Sequence, residues 1–300
     1  MSGESKLLDA EFIQKLERLS IGAKRVFPGR QKGEKRSPRQ GSSLEFADYR
    51  EYAPGDDLRY VDWKAYARLE KLFVKLFVEE EDLAVHILID ASQSMLYPTE
   101  NPSGTVKFDF ARKIAAALGY VALSRYDRLG VAAFSQALGG RTPALRGKAS
   151  APQLFSYLES LQAGGRTDFV TSLRNYAMRH TSPGVCVILS DFYDPNWEKG
   201  VRALLSRRYQ IVLIQILAPE EIKPEISGDI RLVDAETGES REVSITPAVL
   251  ASYQDALRHF CIGLSDLASR QGMDYLCVTT DTPLEDVLLK SLRESGLLKG

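Results

Sequence analysis

Apolar residues in this chain fall into two alternating patterns. Leu83 to Ile89 is a short, almost unbroken apolar run, as expected of a strand buried on both faces. Leu129–Phe134, Val185–Ser190, Ile211–Leu217 and Tyr275–Thr279 repeat it. Between these runs lie longer segments with helical periodicity. Phe108–Tyr126 places Ile114, Leu118 and Val121 on one face, and Gln153–Leu161, Phe169–Arg179, Trp197–Arg207, Ala248–Arg270 and Leu284–Leu297 follow the same rule. Buried strands alternating with such helices predict an α/β fold: a mostly parallel, Rossmann-like sheet with helices on both faces.

Other stretches stand outside this alternation. Residues 136–150, punctuated by Gly and Pro, predict a loop or hairpin, and residues 230–245, centred on Glu236-Thr237-Gly238-Glu239, predict a β-hairpin insertion. Residues 9–20 predict an N-terminal helix with Phe12, Ile13, Leu16 and Leu19 on one face. The half-alternating run Leu72–Val78 predicts a half-exposed or edge strand, and Glu79–Asp82 reads as solvated surface beyond it. Three segments result: 1–43, a helix and linker; 44–82, a β-containing block packed on the main domain; and 83–300, the α/β domain.

Composition removes several functions. At 300 residues the chain can bury a large core, and 39 basic against 40 acidic residues give no global pull toward nucleic acid. No run approaches the ~18 apolar residues of a membrane span, and Met1–Lys6 has no apolar signal core, so a soluble cytoplasmic form is expected. Cys186, Cys261 and Cys277 sit in apolar segments without C-x-x-C spacing, which predicts reduced core thiols. Residues 24–39 are locally basic through Arg25, Arg30, Lys32, Lys35, Arg36 and Arg39. Gly and Pro there predict a solvated linker, and contact with nucleic acid or an acidic surface is the alternative.

Candidate chemistry gathers at strand ends. Asp90-Ala91-Ser92-Gln93-Ser94 follows the first core strand and sets a carboxylate and two hydroxyls at alternate positions. Thr167 lies in the loop Gly164-Gly165-Arg166-Thr167-Asp168, and Asp191 ends the strand Val185–Ser190. Ligands of open α/β sheets collect at the carboxyl ends of strands, where these three loops can converge. An oxygen-only set of mixed charge suits a hard cation: Mg²⁺, with Mn²⁺ or Ca²⁺ as alternatives. The competing role for such residues is ordinary turn and helix-cap bonding. Asp168 fits a helix N-cap slightly better than a hydrogen-bond acceptor behind the metal ligands.

Other constellations fail. Gly140 to Gly147-Lys148-Ala149 has the wrong spacing for a phosphate loop, and there is no G-x-S-x-G or H-E-x-x-H. His86, His180 and His259 are scattered and predict structural roles. No paired acid and base emerges, and no Lys or Arg other than Arg166 is placed at the strand ends.

Asp90-x-Ser92-x-Ser94, then Thr167, then Asp191, in that order, resembles the metal-ion-dependent adhesion site of von Willebrand factor A domains. Tyr52-Ala53-Pro54-Gly55-Asp56-Asp57-Leu58-Arg59-Tyr60-Val61-Asp62-Trp63, followed by Ala67-Arg68, resembles the signature of the bacterial family called domain of unknown function 58. Asp90–Met95 and Ser190-Asp191-Phe192 are similar to that family's two metal loops. The resemblance covers roughly residues 40 to 280. It implies a von Willebrand factor A-like domain that holds Mg²⁺ through Asp90, Ser92, Ser94, Thr167 and Asp191. It also implies a non-enzymatic partner of MoxR-type AAA+ ATPases, with a partner's carboxylate completing the metal shell. Within the signature, Arg59 is spaced to pair with Asp56, Asp57 or Asp62, and Trp63 is large enough to anchor the block. A Mg²⁺-dependent phosphohydrolase and a nucleic-acid adaptor working through residues 24–39 are the alternatives.

Overall fold

The five apolar runs all become strands of one sheet, though the last, Tyr275–Thr279, lies at its edge with only Val278 buried. The computed structural model describes residues 7–23, 45–78, 83–98, 105–180 and 182–299, and the basic segment 24–39 and the acidic run 79–82 lie outside the described residues. The chain divides into two units, Met1–Gly29 with Leu83–Gly300, and Arg30–Asp82.

In the larger unit the strands are β1 (Ala84–Asp90), β2 (Arg128–Phe134), β3 (Leu138–Arg141), β4 (Val185–Ser190), β5 (Gln210–Leu217) and β6 (Asp274–Thr279). Their order is β6-β5-β4-β1-β2-β3, with only β3 antiparallel to its neighbour. The chain runs from β1 outward to β2 and β3, then returns to the other side of β1 for β4. That reversal opens a crevice at the carboxyl ends of β1 and β4, the place where such sheets bind ligands. The expected mostly parallel α/β sheet is therefore present.

Alternation along β1 divides the core. Val85, Ile87 and Ile89 face one layer, with α2 (Lys107–Ser124) and α3 (Ala151–Ser160). Leu88 faces the other, with α4 (Phe169–Arg179), α5 (Trp197–Leu205) and the end of α6 (Pro247–Gln271). Each fully buried Val, Leu or Ile contributes about 1.5–3 kcal/mol, and helices on both faces explain why these strands are so largely apolar.

The N-terminal helix α1 (Ala10–Leu16) belongs to this unit, whereas the sequence pattern set residues 1–43 apart. Helix α2 is buried around nearly its whole circumference, so it requires a cover on its outer side. Helix α1 supplies it. Tyr120 donates to Glu17 at 2.8 Å, Arg125 Nε donates to the Leu19 carbonyl at 2.9 Å, and Ser20–Ile21 pairs antiparallel with Leu298–Lys299. The expected closing helix 284–297 is broken: Val287–Ser291 forms a wider π-type turn between short α segments. Val287, Leu288 and Leu292 are all fully buried, and their i, i+1, i+5 spacing suits the wider turn.

The smaller unit pairs Glu45–Glu51 antiparallel with Phe73–Val78 and carries the helix Trp63–Leu69. Its signature carboxylates stitch the backbone. Asp62 caps the helix by accepting from Lys64 N at 2.9 Å and Ala65 N at 3.1 Å, and takes the Tyr49 hydroxyl at 2.9 Å. Asp56 accepts from Ala53 N and from Arg50, each at 2.8 Å, across a turn in which Gly55 has φ +105°. Of the three candidate partners, Arg59 takes Asp57. Within this unit Trp63 meets Tyr66 edge-on.

Candidate functional site: an oxygen-lined crevice at the reversal of the sheet

Three loops meet where β1 and β4 end. Backbone bonds join the first two: Gly164 N donates to the Ala91 carbonyl and Gln93 N to the Gly165 carbonyl, both at 2.8 Å. Gly165, at φ +78°, permits the turn that carries Thr167 inward. Asp168 then caps α4 by accepting from Thr171 N at 2.9 Å, the role its position predicts.

Asp90 is the centre of the site and 1% exposed. Its Oδ1 accepts from Ser92 N at 3.0 Å and faces Thr167 Oγ1 at 3.5 Å, while Oδ2 accepts from Ser190 Oγ at 2.6 Å. These donors are neutral. Burial, and then the neighbouring Asp191 charge, push the Asp90 carboxyl well above the usual carboxylate range. Ser92 Oγ and Ser94 Oγ lie 3.0 Å apart, with Ser92 fully buried. Asp90, Ser92, Ser94 and Thr167 are thus brought together.

Asp191 is differently placed. Its Oδ2 receives Lys107 Nζ at 2.9 Å, and its Oδ1 accepts from Tyr193 N at 3.2 Å. Lys107 also reaches Glu221 at 2.8 Å, and its ammonium lies 5.1 Å from the Tyr193 ring centroid and 5.9 Å from that of Tyr97. Burial alone lowers the Lys107 pKa, but the Asp191 and Glu221 carboxylates more than reverse this, so the ammonium persists. After Asp191 the backbone turns sharply. Phe192 adopts φ +62° although it is not glycine, a costly conformation held by its N–H donating to Ser190 Oγ at 2.8 Å.

Three functional candidates escape the sequence patterns. Lys107 corrects the expectation that Arg166 is the one basic residue near the strand ends, although its charge is committed to two carboxylates. Its signal was a lysine at the first position of a helix, against the helix dipole. Glu221 gave none beyond proximity to a strand end. Glu236 sits at the tip of the hairpin Gly228–Val233/Ser240–Ile245, and its carboxylate accepts from Thr167 N at 3.2 Å and Thr167 Oγ1 at 3.1 Å.

The donor set fits a hard divalent cation. A buried carboxylate with only neutral donors beside a second carboxylate favours an added positive charge, and three hydroxyl oxygens accompany it. Among the described residues no group of three His, Cys, Asp or Glu side chains gathers at metal-binding distance, so such a site depends on its hydroxyls.

The α/β sheet, the crevice at its reversal and the capped signature block define a protein class that comparison identifies. Residues 48–260 match the family described as Protein of unknown function DUF58, and the chain belongs to that family. Uncharacterized protein Rv1480 of Mycobacterium tuberculosis is 28% identical over 298 residues, covering 97% of this chain and 93% of the relative. Uncharacterized protein MAV169 of Mycobacterium avium is 31% identical over 138 residues, covering 45% of this chain and 81% of its own. Among solved structures, the conserved hypothetical protein BatB of Bacteroides thetaiotaomicron superposes with a TM-score of 0.44 at 12% identity, covering 71% of this chain and 98% of that one. Proximal thread matrix protein 1 from the mussel byssus, with a zinc-occupied MIDAS motif, gives a TM-score of 0.39 at 13% identity, covering 72% and 46%. Among the described residues no helix is long and apolar enough to cross a membrane.

Proposed function

We propose that this protein is a metal-dependent protein-interaction module of von Willebrand factor A type, acting without catalysis as an adaptor for a MoxR-type AAA+ ATPase. The observation that carries the metal reading is the convergence of Asp90, Ser92, Ser94 and Thr167 on one crevice, with Asp90 buried among neutral donors. Asp90 and the three hydroxyls would hold Mg²⁺ directly, and Asp191, already neutralised by Lys107, would act through water. Bound there, Mg²⁺ would supply a Lewis-acidic position able to take a carboxylate oxygen from a partner. The adaptor role rests on the signature at 52–63 and on family resemblance. Lys107 gives the phosphohydrolase alternative little support, because its ammonium is fully buried and paired with two carboxylates.

Tagged chain incubated with native-source lysate, in parallel with Mg²⁺ and with EDTA, tests both parts. An AAA+ ATPase retained only with Mg²⁺ supports the whole reading. The same ATPase retained in both keeps the adaptor and removes the metal from it. Absence from both lanes overturns the adaptor reading.

A further inference from the structure

The hairpin Gly228–Val233/Ser240–Ile245 has almost no core of its own. Along its two strands only Ile245 is buried, while Leu232 and Val233 are 47% and 60% exposed. Its tip is nevertheless tightly built. Asp234 Oδ1 accepts from Glu236 N at 2.9 Å and Thr237 N at 2.6 Å, Gly238 N bonds the Asp234 carbonyl at 2.9 Å, and Gly238 takes φ +73°. That turn aims Glu236 into the crevice, where it engages both the N–H and the O–H of Thr167. Arg166 Nε holds the Glu236 backbone carbonyl at 3.2 Å rather than its carboxylate.

The contact is electrostatically odd. Glu236 brings a second carboxylate onto Thr167, which Asp90 already faces, and its two acceptor contacts are neutral donors of Thr167. Like charges at such separation repel unless a cation lies between them. Thr167 has one hydroxyl proton to share between Glu236 Oε1 at 3.1 Å and Asp90 Oδ1 at 3.5 Å, and the shorter contact takes it. The lone pairs of that oxygen then remain for a metal.

We infer that Glu236 is an intramolecular occupant of the position a partner's carboxylate takes at the metal site, so that the hairpin is an autoinhibitory clasp. The inference rests on the metal-site reading. A partner presenting an acidic side chain must displace Glu236, and the small buried area of the hairpin makes that displacement cheap. Binding therefore couples to hairpin release, and removing the Glu236 charge opens the position permanently.

The experiment uses the full chain, Mn²⁺ as the metal and acetate as the simplest carboxylate. Protein-bound Mn²⁺ speeds relaxation of the acetate methyl protons when acetate reaches its coordination sphere. At equal bound Mn²⁺, Glu236→Gln is expected to enhance acetate relaxation at least about threefold over wild type, and Asp90→Ala to abolish Mn²⁺ binding in either background. Equal enhancement in wild type and Glu236→Gln, with Mn²⁺ bound to both, overturns the clasp and leaves the metal site standing. No Mn²⁺ bound to either overturns the metal reading and the clasp together.

Discussion

Lys107 Nζ lies 2.9 Å from Asp191 Oδ2 with both side chains at most 2% exposed, a buried ion pair inside the wall of the crevice. Breaking such a pair from one side leaves an uncompensated charge. Lys107→Met therefore strands both Asp191 and Glu221, and a loss of about 3–5 kcal/mol is expected in denaturant unfolding with EDTA present. Because Asp191 then lacks a cation, Mg²⁺ should restore more stability to this variant than it adds to wild type. A loss below about 1 kcal/mol would show that Lys107 is not an internal counter-ion.

Asp90→Asn separates the cost of the buried charge from its use. Asparagine retains an acceptor for Ser92 N and can donate to Ser190 Oγ, so the local bonds survive. Without metal the variant should be as stable as wild type or more so, since a buried carboxylate beside Asp191 is removed. With Mg²⁺ at about 100 times its Kd, wild type should gain about 2.7 kcal/mol and Asp90→Asn nothing. Melting curves with and without Mg²⁺ decide it, and equal gains in the two proteins would place the metal elsewhere.

The parts of the site visible in the sequence are those a single local pattern can carry. Asp90, Ser92 and Ser94 share one loop after a strand whose apolar run is unmistakable, and Asp191 ends another such strand. Lys107 and Glu236 are different. Lys107 reaches Asp191 from 84 residues away, and Glu236 reaches Thr167 from 69 residues away. Neither contact has a periodicity that could announce it. The fold divides the same way: the buried strands of the sheet were legible from apolar runs, because burial on both faces leaves few polar positions in them. The docking of α1 on α2 was not, since an amphipathic helix does not say which surface it covers. The π-type turn at 287–291 depends on which side chains the core can accept, and helical periodicity alone mistakes it for one regular helix.

His86 gives the fold a definite pH dependence. It is buried, with Nδ1 at 2.7 Å from the Tyr176 hydroxyl and Nε2 at 3.2 Å from the Ser182 carbonyl. Burial, then the neighbouring His180, depress its pKa to about 4, against 6.5 ordinarily. Between those values the unfolded chain binds the proton and the folded one does not, so stability rises with pH across that window. The contribution is complete above about pH 6.5 and is lost as pH falls toward 4, amounting to about 3 kcal/mol. Proton NMR of the imidazole should show His86 still neutral at pH 5. A His86 titration midpoint near 6.5 in the folded protein would contradict the burial argument.

Two helical glycines should respond in opposite directions to the same substitution. A Cβ on Gly200 would lie 2.5 Å from the Phe169 carbonyl oxygen and 2.7 Å from its carbon, backbone atoms at the start of α4. Alanine there must push α4 away from α5, costing about 1–3 kcal/mol. Phe169 is two residues beyond Thr167, so the displacement passes into the Thr167 loop, and on the proposed metal site Mn²⁺ affinity should fall with stability. Gly263, in the exposed middle of α6, has nothing within 4 Å of its Cβ direction. Gly263→Ala should stabilise by about 0.8–1.0 kcal/mol through helix propensity alone and leave Mn²⁺ affinity unchanged. Chemical denaturation and Mn²⁺ titration of the two variants side by side measure both effects. If Gly200→Ala loses stability but binds Mn²⁺ like wild type, the close crossing of α4 and α5 supports the fold without positioning Thr167.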